Sequence, residues 1–591
     1  MVSFRAIALI KDCQSEVTKR NTTSSNTSLM QIIGVDSYDF KDYFLCRENG
    51  TKICDFDGIN TFRDVGLRHG EIVLLKCRVD MFEIEQNRNE NKTVSYFGFD
   101  DVDGNREKES GLILRAKDPQ FCRHNNNGMC DYCCPLEPFD EKYLEEHKIK
   151  HLSFYSYLKK TKIKNPNMAN VPLLDEPDFS VKKCDRHAPF PTGICSYCQP
   201  SAISLQPQAF RMVDHVEFDS SFVIDDFLST WRSSGLQRFG LLIGRYAAYD
   251  EVPLGIKAIV SAIYEPPQDG SVDGIELLHD PMEGNLKDLL DCVGLQIVGM
   301  VYTDLVDAGS GDGKVLCKRH AKSFFISGLE AIFIARFQSK YPFLTKYAKI
   351  GKFGSRFVTI VISGKEKCLL LFTGDEDGNV SLKEYQMSNV AMSLVENDLI
   401  EGCTIPSLLR VQEPTKTKYV PEVFFKQKNE YNIEVQQSAK PVFPVEYLVV
   451  NLTHGFPENE TPFFLSNSFP KMNRVPLGYP EPKLFDLAKI STMNDISDFG
   501  FLLYLTSIER FSKADVETII DILKKKDQSK LCWFLTESQS WRDLVEKCSG
   551  KLFVVISSEV KIGVHWSCPH CTFINESNPE TCEMCGLPKI H

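Results

Sequence analysis

The chain has 591 residues, which is too long for one hydrophobic core, so we expect about three to five domains. A formal net charge of −12 argues against a general nucleic-acid binder, and no apolar run approaches the ~20 residues that span a bilayer. The apolar stretch at the start is too short for a secretory signal, so we expect the 21 cysteines to stay reduced.

Residues 1–80 have the pattern of a small α+β domain. The run Phe4–Ile10 predicts a strand, and the apolar stretch Leu29–Val35 predicts a helix. Asn49-Gly50, between two apolar segments, predicts a hairpin because both residues accept positive φ. A last strand follows at Ile72–Leu75. This order resembles a ubiquitin-like β-grasp fold, although periodicity alone fits any small α+β domain equally well.

The following segment, residues 81–118, is polar and charged, with an acidic run at residues 100–104. Such a composition predicts a solvated linker. The acidic run lacks the twelfth-position ligand of an EF-hand, which favours a solvated loop over a calcium site.

Residues 119–205 contain two clusters, which read C-x-H-x5-C-x2-C and C-x2-H-x7-C-x2-C. Three thiolates and one imidazole form a closed tetrahedral set for zinc, which leaves no position for water or substrate. We therefore predict a tandem structural zinc module rather than disulfides or scattered thiols. The predicted ligands are Cys122, His124, Cys130 and Cys133 in the first cluster, and Cys184, His187, Cys195 and Cys198 in the second. Cys134 remains an alternative to Cys133.

Two features accompany the clusters. Gly128 and Gly193 lie before the Cys-x2-Cys turns, where we expect glycine to accept a strained backbone. Between the clusters, Tyr143–Lys160 is aromatic and basic, which predicts a small helix packed on the zinc knuckle.

Several short runs in this region resemble the nuclear protein localization protein 4 family. They are Pro138-Phe139-Asp140, Tyr143-Leu144, Lys150-His151, Ser153-Phe154, Tyr157-Leu158, and the segments 191–195 and 198–203. The resemblance continues almost to both ends of the chain. It favours the ubiquitin-like fold for residues 1–80 and implies that this domain, with the zinc modules, binds the valosin-containing AAA ATPase.

Residues 210–435 resemble an MPN domain, the α/β fold of JAMM-type deubiquitinating metalloproteases. The apolar segments at residues 239–246, 256–264 and 295–305 predict its buried strands. Active members carry His-x-His before a proline, with a Ser-x-x-Asp downstream, and these residues hold a catalytic zinc.

This chain lacks those ligands. Tyr302 and Asp304 stand in place of the histidines, Leu305 in place of the proline, and Ser327–Glu330 in place of Ser-x-x-Asp. A phenol and one carboxylate do not replace two imidazoles, so we predict an inactive MPN domain and no catalytic residue. The basic neighbours of His320 predict a solvated segment there.

Residues 440–550 are expected to form an accessory C-terminal domain. Ser512 and Asp515 predict a capping pair at the start of a helix. The residues that follow at helical spacing are apolar and are expected to be buried: Val516, Ile519, Ile520 and Leu523.

The last segment, residues 564–591, reads W-x-C-x2-C-T-F-x-N-x6-C-x2-C and predicts a third zinc site. Its expected ligands are Cys568, Cys571, Cys582 and Cys585. The pattern resembles the family's NZF-type finger. The resemblance implies that Thr572, Phe573 and Met584 contact the apolar patch of ubiquitin.

The resemblance implies a non-enzymatic adaptor that delivers ubiquitylated proteins to the ATPase, together with ubiquitin fusion degradation protein 1. Expected features are three structural zinc ions, ubiquitin-chain binding, a cytoplasmic and nuclear location, and peripheral association with the ER membrane through partners during ER-associated degradation. Two alternatives remain at this stage: a JAMM-type protease with altered ligands, and a zinc protein that binds nucleic acid.

Overall fold

The computed structural model describes residues 102–546, except residues 126–127, 165–173, 178, 310–314, 365–379, 417, 432, 458–459, 461, 483–489, 491 and 509–510. Outside that range it describes six short strands. The chain divides into two compact units, Met1–Gly98 and Phe99–His591. No helix among the described residues is long and apolar enough to cross a membrane.

The N-terminal unit contains one four-stranded sheet. Its strands are β1 (Phe4–Arg5), β2 (Tyr43–Arg47), β3 (Lys52–Asp55) and β4 (Val73–Cys77). The order is β1-β4-β2-β3, and all neighbours are antiparallel. The hairpin predicted around Asn49-Gly50 is therefore confirmed. The predicted helix Leu29–Val35 lies outside the described residues, and the ubiquitin-like fold stays a prediction.

The second unit mixes helices and strands along its whole length. In chain order they are α1 (Val102–Lys108), α2 (Glu141–Glu146), β5 (Leu152–Ser153), α3 (Phe154–Lys164), β6 (Ile203–Leu205), β7 (Phe210–Arg211), β8 (His215–Phe218), α4 (Phe222–Ser234), β9 (Phe239–Tyr249), β10 (Gly255–Tyr264), β11 (Gln268–Gly270), β12 (Ile275–Leu277), α5 (Glu283–Val293), β13 (Gln296–Asp304), α6 (Gly328–Lys340), β14 (Pro342–Leu344), β15 (Lys352–Ser355), β16 (Val358–Gly364), β17 (Val380–Met387), α7 (Asn389–Glu396), β18 (Ile400–Gly402), β19 (Leu408–Val411), β20 (Val423–Lys428), β21 (Glu434–Ser438), β22 (Val442–Pro444), β23 (Val449–Asn451), β24 (Thr453–Gly455), α8 (Met493–Ile496), α9 (Phe499–Thr506), α10 (Lys513–Lys525), α11 (Gln528–Glu537), β25 (Trp566–Ser567) and β26 (Ile574–Asn575).

An eight-stranded sheet organises this unit, in the order β23-β17-β16-β13-β9-β10-β8-β24. The predicted strands at 239–246, 256–264 and 295–305 are its three central ones and are confirmed. Side chains alternate across the sheet, as period-2 geometry requires. Val301 packs in the cluster with α4, whereas Met300 and Tyr302 pack on the other face with α6 and α7. Both faces of the sheet are therefore covered.

The boundary predicted between residues 435 and 440 is wrong. Residues 449–451 pair with β17 and residues 453–455 pair with β8, so both edges of the sheet are completed by one segment. The backbone groups of those edges need partners, and the chain supplies them beyond the predicted end of the domain. The helices from α9 to α11 then pack against α5 in a separate apolar cluster. The MPN assignment itself stays a prediction.

The prediction of a solvated linker is wrong for residues 102–108. Val102–Lys108 forms helix α1, in which Asp103, Arg106 and Glu107 form ion pairs. Asp103 accepts hydrogen bonds from Arg356 and from the Tyr155 hydroxyl. Arg106 is buried and donates to Asp250 at 2.6 Å. Charge alone suggested solvent exposure, but these partners lie far along the chain.

The helix predicted between the zinc clusters forms, but not against the knuckle. The segment contains α2 and α3, and Phe154, Tyr155 and Leu158 of α3 are buried. They pack with Phe210, with Phe353 and with Ile256 of β10, a strand of the eight-stranded sheet. This apolar contact ties the zinc region to the sheet.

Candidate zinc centres and the Tyr302–Asp304 site

Both predicted Cys/His clusters form in the structure. Within each, the four candidate ligand atoms lie within 4.8 Å of one another. Among the described residues these are the two groups of His, Cys, Asp or Glu that could hold a metal ion. We name the segment 122–134 the first knuckle and the segment 184–199 the second knuckle.

The spacing within the clusters fits zinc and excludes disulfides. Ligands bound tetrahedrally at about 2.3 Å lie ~3.8 Å apart, whereas a disulfide joins its sulfurs at about 2.05 Å. In the first knuckle, Cys130 Sγ lies 3.6 Å from Cys122 Sγ and 3.9 Å from Cys133 Sγ. In the second, Cys195 Sγ lies 3.8 Å from Cys184 Sγ and 3.7 Å from Cys198 Sγ. Both sets are free thiols at zinc-ligand separations.

Each histidine presents its Nε2 atom to the sulfurs. His124 Nε2 lies 3.2 Å from Cys133 Sγ, and His187 Nε2 lies 3.3 Å from Cys198 Sγ. The Nδ1 atoms face the carbonyl oxygen of the next residue, at 3.0 Å for His124 and 2.7 Å for His187. A hydrogen bond from Nδ1–H to that carbonyl leaves Nε2 as the metal ligand.

The turns of the two knuckles match. In the first, the amides of Cys133 and Cys134 donate to the Cys130 carbonyl, at 3.0 and 2.8 Å. In the second, the amides of Cys198 and Gln199 donate to the Cys195 carbonyl, at 3.2 and 2.9 Å. The duplication predicted from sequence therefore extends to backbone hydrogen bonding.

The choice between Cys133 and Cys134 is settled in favour of Cys133. Its side chain is buried and its sulfur belongs to the cluster, whereas Cys134 is exposed and stands outside it. Burial in the cluster follows from the turn, which directs the side chains of Cys130 and Cys133 to the same point.

The glycines serve a different purpose from the one predicted. Neither Gly128 nor Gly193 has positive φ among the backbone conformations of this structure. A Cβ at Gly193 would lie 2.8 Å from both the Ala188 carbonyl and His187 Nδ1. Glycine is needed there because the ligand histidine packs directly on the backbone.

Backbone amides also prepare the turn thiols for metal binding. The amides of Cys198 and Tyr197 donate to Cys195 and lower its thiol pKa to about 6. For Cys130, burial raises the pKa, but hydrogen bonds with the Tyr132 amide, the Cys122 thiol and the Cys133 amide outweigh it and bring the pKa to about 7. A lower thiol pKa favours the thiolate that zinc requires.

The third predicted site is described in part. β25 and β26 form an antiparallel pair, with Trp566 opposite Asn575. Its four predicted ligands, together with Thr572, Phe573 and Met584, lie outside the described residues.

At the Tyr302–Asp304 site, a buried arginine pairs with two carboxylates. Arg319 is buried, and its Nε donates to Asp304 at 2.8 Å. Its two terminal nitrogens donate to both oxygens of Glu330, one of them at 3.1 Å. Glu330 also completes the capping box of α6 with Ser327. Asp304 and Glu330, which lie 15 and 11 residues from Arg319 in the chain, therefore come together around its guanidinium group.

The electrostatics of this site are those of an ion-paired core. Burial favours a protonated Glu330, but the hydrogen bonds and charge of Arg319 outweigh it and lower the Glu330 pKa. Burial and the Glu330 charge hold the Tyr302 pKa well above its usual value. A phenol kept protonated and two carboxylates already paired offer no ligand set for zinc.

The prediction of a solvated segment around residue 320 is wrong for Arg319, whose side chain is 3% exposed. The burial of Arg319 could not be predicted from its neighbours in the sequence, because its two carboxylate partners lie 11 and 15 residues away.

Exposed apolar side chains at the knuckles were also missed. Met129 and Tyr132 of the first knuckle are 72% and 54% exposed, and Ile194 and Tyr197 of the second are 37% and 62% exposed. Each pair flanks the third zinc ligand at the same spacing, a repeat visible in the sequence. Exposed apolar groups on rigid modules are typical of docking surfaces.

Three family models match the chain. The NPL4 family model covers residues 238–548, and the model of that family's zinc-binding region covers residues 98–235. A model described as Zn-finger in Ran binding protein and others covers residues 561–589. The matched zinc regions contain all three predicted zinc sites.

Fungal proteins named Nuclear protein localization protein 4 are similar along most of their length. The one from Saccharomyces cerevisiae is 40% identical over 550 residues, which cover 86% of this chain and 92% of that protein. The one from Candida glabrata is 42% identical over 82% of this chain and 88% of its own length. The one from Schizosaccharomyces pombe is 38% identical, with the same two coverages of 82% and 88%.

Proposed function

The chain belongs to the NPL4 family, and we propose that it is a non-enzymatic adaptor that brings ubiquitylated proteins to the valosin-containing AAA ATPase. The ATPase would unfold them for proteasomal degradation, including ER-associated degradation. The proposal includes ubiquitin fusion degradation protein 1 as partner. It places the chain in the cytoplasm and nucleus, and at the ER membrane through its partners.

The observation that carries the non-enzymatic part is the buried Arg319. In an active JAMM-type protease the matching residues would hold a metal ion, whereas here a guanidinium neutralises both carboxylates. Without a metal ion the fold has no means to activate water for isopeptide hydrolysis. The two described zinc centres are closed sets with four protein ligands each, which supports a structural role.

The knuckles support the docking part of the proposal. Met129 and Tyr132 lie on a small module stiffened by metal, and the Tyr132 ring stacks on Phe121 with centroids 4.9 Å apart. Tyr197 stands at the matching position of the second knuckle. A rigid apolar surface loses little conformational entropy on binding. We propose that these two surfaces contact the ATPase.

The knuckle surface is tested with Met129→Ala combined with Tyr132→Ala. Affinity for the purified ATPase is expected to fall about tenfold or more, because aromatic anchors dominate interface energy. Binding would be measured by biolayer interferometry. Val272→Ala is the matched control, since Val272 is 62% exposed but lies away from the knuckles. Unchanged affinity of the double variant would remove the first knuckle from the interface.

The ubiquitin part is tested with Thr572→Ala combined with Phe573→Ala in the full chain. A titration with ubiquitin chains is expected to show weaker binding, because these side chains are proposed to contact ubiquitin's apolar patch. An unchanged titration would refute that site. The same protein incubated with ubiquitin chains should leave them intact, whereas chelator-sensitive cleavage would favour the alternative protease.

A further inference from the structure

The segment before the first knuckle is bound along its length to that knuckle. Ile113 forms a backbone bridge with Leu136 at 2.9 and 3.0 Å. Lys117 Nζ donates to the Asn125 carbonyl at 3.2 Å. The Asp118 carbonyl accepts from the amide of the first ligand, Cys122, at 2.9 Å. Residues 113–118, which the sequence suggested as linker, therefore surround the metal site.

Arg115 makes the most extensive of these contacts. Its Nε and one terminal nitrogen donate to the Cys134 carbonyl, at 2.8 and 2.6 Å. The same terminal nitrogen donates to the Asp131 carbonyl at 2.6 Å. These carbonyls belong to the turn that carries Cys130 and Cys133. The planar guanidinium thus holds the turn that sets the positions of two ligands.

The charge of the first centre also calls for a cation. A zinc ion of +2 with three thiolates and one neutral imidazole has a net charge of −1. Arg115 brings a positive charge to the same turn. We propose that Arg115 is a positioning residue of the first zinc centre, which holds the Cys130–Cys133 turn in ligating geometry and balances its charge.

The second knuckle offers an internal comparison. There the carbonyl of Cys198, which is equivalent to Cys133, accepts the backbone amide of Lys182 at 2.9 Å. Its own arginine, Arg186, lies over the Tyr197 ring with Cζ 5.0 Å from the centroid. A cavity of about 410 Å³ lies beside the second centre and is lined by Lys182, Lys183 and Lys418. These three lysines bring positive charge near the second centre, where no single arginine among the described residues plays the part of Arg115. The two centres should therefore respond differently to loss of one arginine.

The test measures each zinc centre separately in the full chain. Zinc-loaded protein is exposed to EDTA and pulsed with N-ethylmaleimide, and mass spectrometry gives the labelling rate of each cysteine. In Arg115→Ala, we expect about tenfold or faster labelling of Cys122, Cys130 and Cys133, the usual effect of losing an outer-shell partner. The three cysteines of the second knuckle should keep their wild-type rates.

Two further variants separate positioning from general folding. Arg115→Lys keeps the charge but not the two-pronged contact, so an intermediate rate at the first knuckle is expected. Arg186→Ala should leave all six labelling rates unchanged, because Arg186 contacts the Tyr197 ring rather than the carbonyl groups of the turn. Wild-type rates at the first knuckle in Arg115→Ala would overturn the proposal. So would equal acceleration at all six cysteines, which would indicate loss of the fold.

Discussion

At the end of β13, a single guanidinium stands between two carboxylates. Arg319 is 3% exposed, whereas Asp304 and Glu330 are 21% and 22% exposed, so the pair of interactions is largely shielded from solvent. Removing one partner of a buried ion pair is strongly destabilising because the remaining charge has no compensation. Arg319 is therefore both the reason that we propose no catalysis and an element of stability.

Arg319→Met is expected to lower the free energy of unfolding by roughly 3 to 5 kcal/mol, because Asp304 and Glu330 lose their counter-charge. Urea denaturation followed by circular dichroism would measure it. Arg319→Lys keeps the charge without the bidentate geometry and should cost less. A midpoint for the Met variant equal to wild type would show that the ion pair adds nothing.

Asp214 gives the stability of the folded state a pH dependence that is opposite in sign to the one given by the paired carboxylates. It is fully buried, Oδ2 accepts from the Ile256 amide at 3.0 Å, and Oδ1 has no partner. Burial raises its pKa to about 7, against the opposing charges of Arg211 and Arg106. The folded state therefore binds this proton more tightly than the unfolded state does.

The stability due to Asp214 is present below about pH 4 and is lost as the pH rises through about 7. In Asp214→Asn this loss should disappear, a difference on the order of 4 kcal/mol between pH 4 and 8. Urea midpoints of both proteins across that range would measure it. Parallel pH profiles for the two proteins would contradict the assignment.

At the scale of elements, α1 shows how a charged helix becomes part of the core. Arg356 is buried between Asp103 and the Phe343 ring, whose centroid lies 4.0 Å from its Cζ. α1 therefore anchors the segment that leads into the first knuckle. The stability of α1 depends on these contacts with distant residues rather than on helix propensity.

Asp103→Ala is expected to release α1, because Arg356 would be left buried without its carboxylate. Amide hydrogen exchange in residues 102–108 should become faster by about tenfold or more. Glu107→Ala is the matched control on the same helix, since its partner Lys346 is 67% exposed and such pairs contribute little. Equal protection in Asp103→Ala and wild type would show that apolar contacts alone hold the helix.

At the scale of the whole molecule, a buried ionic network joins the C-terminal helical part to the sheet. Arg474 and Arg238 both bind Glu265 at the end of β10, with Nε–Oε distances of 2.9 and 3.0 Å. Arg474 also contacts Asp226 of α4, which Lys471 binds at 2.9 Å. This network and the apolar cluster of α5 with α9 to α11 make one continuous interior.

Arg474→Met is expected to cost about 3 kcal/mol, because it leaves buried carboxylates with fewer partners. The shift in the urea midpoint would measure the loss. Arg542→Met is the control, since that arginine is 53% exposed and lies 4.0 Å from Glu537. A result no larger than that of the control would show that the apolar cluster alone holds the C-terminal part.

Features that depend on residues close together in the chain could be predicted from the sequence. The ligand spacing of the zinc clusters, the three central strands and the Ser512 capping box all follow from local pattern, and the structure confirms them. Residues a few positions apart constrain each other through turn and helix geometry. The Cys-x2-Cys spacing also favoured Cys133 over the adjacent Cys134 as the fourth ligand, and the structure confirms that choice.

The partners of the buried charged residues could not be predicted from the sequence. Asp103 meets Arg356, 253 residues away, and Arg474 meets Glu265, 209 residues away. Arg115 and Arg319 are likewise defined by partners on other segments. In the sequence, a charged residue that will be paired and buried cannot be distinguished from one that will be solvated. The reason is that the sequence does not show which distant segments come together in the fold. Folding brings the partners together, and burial then strengthens their interaction.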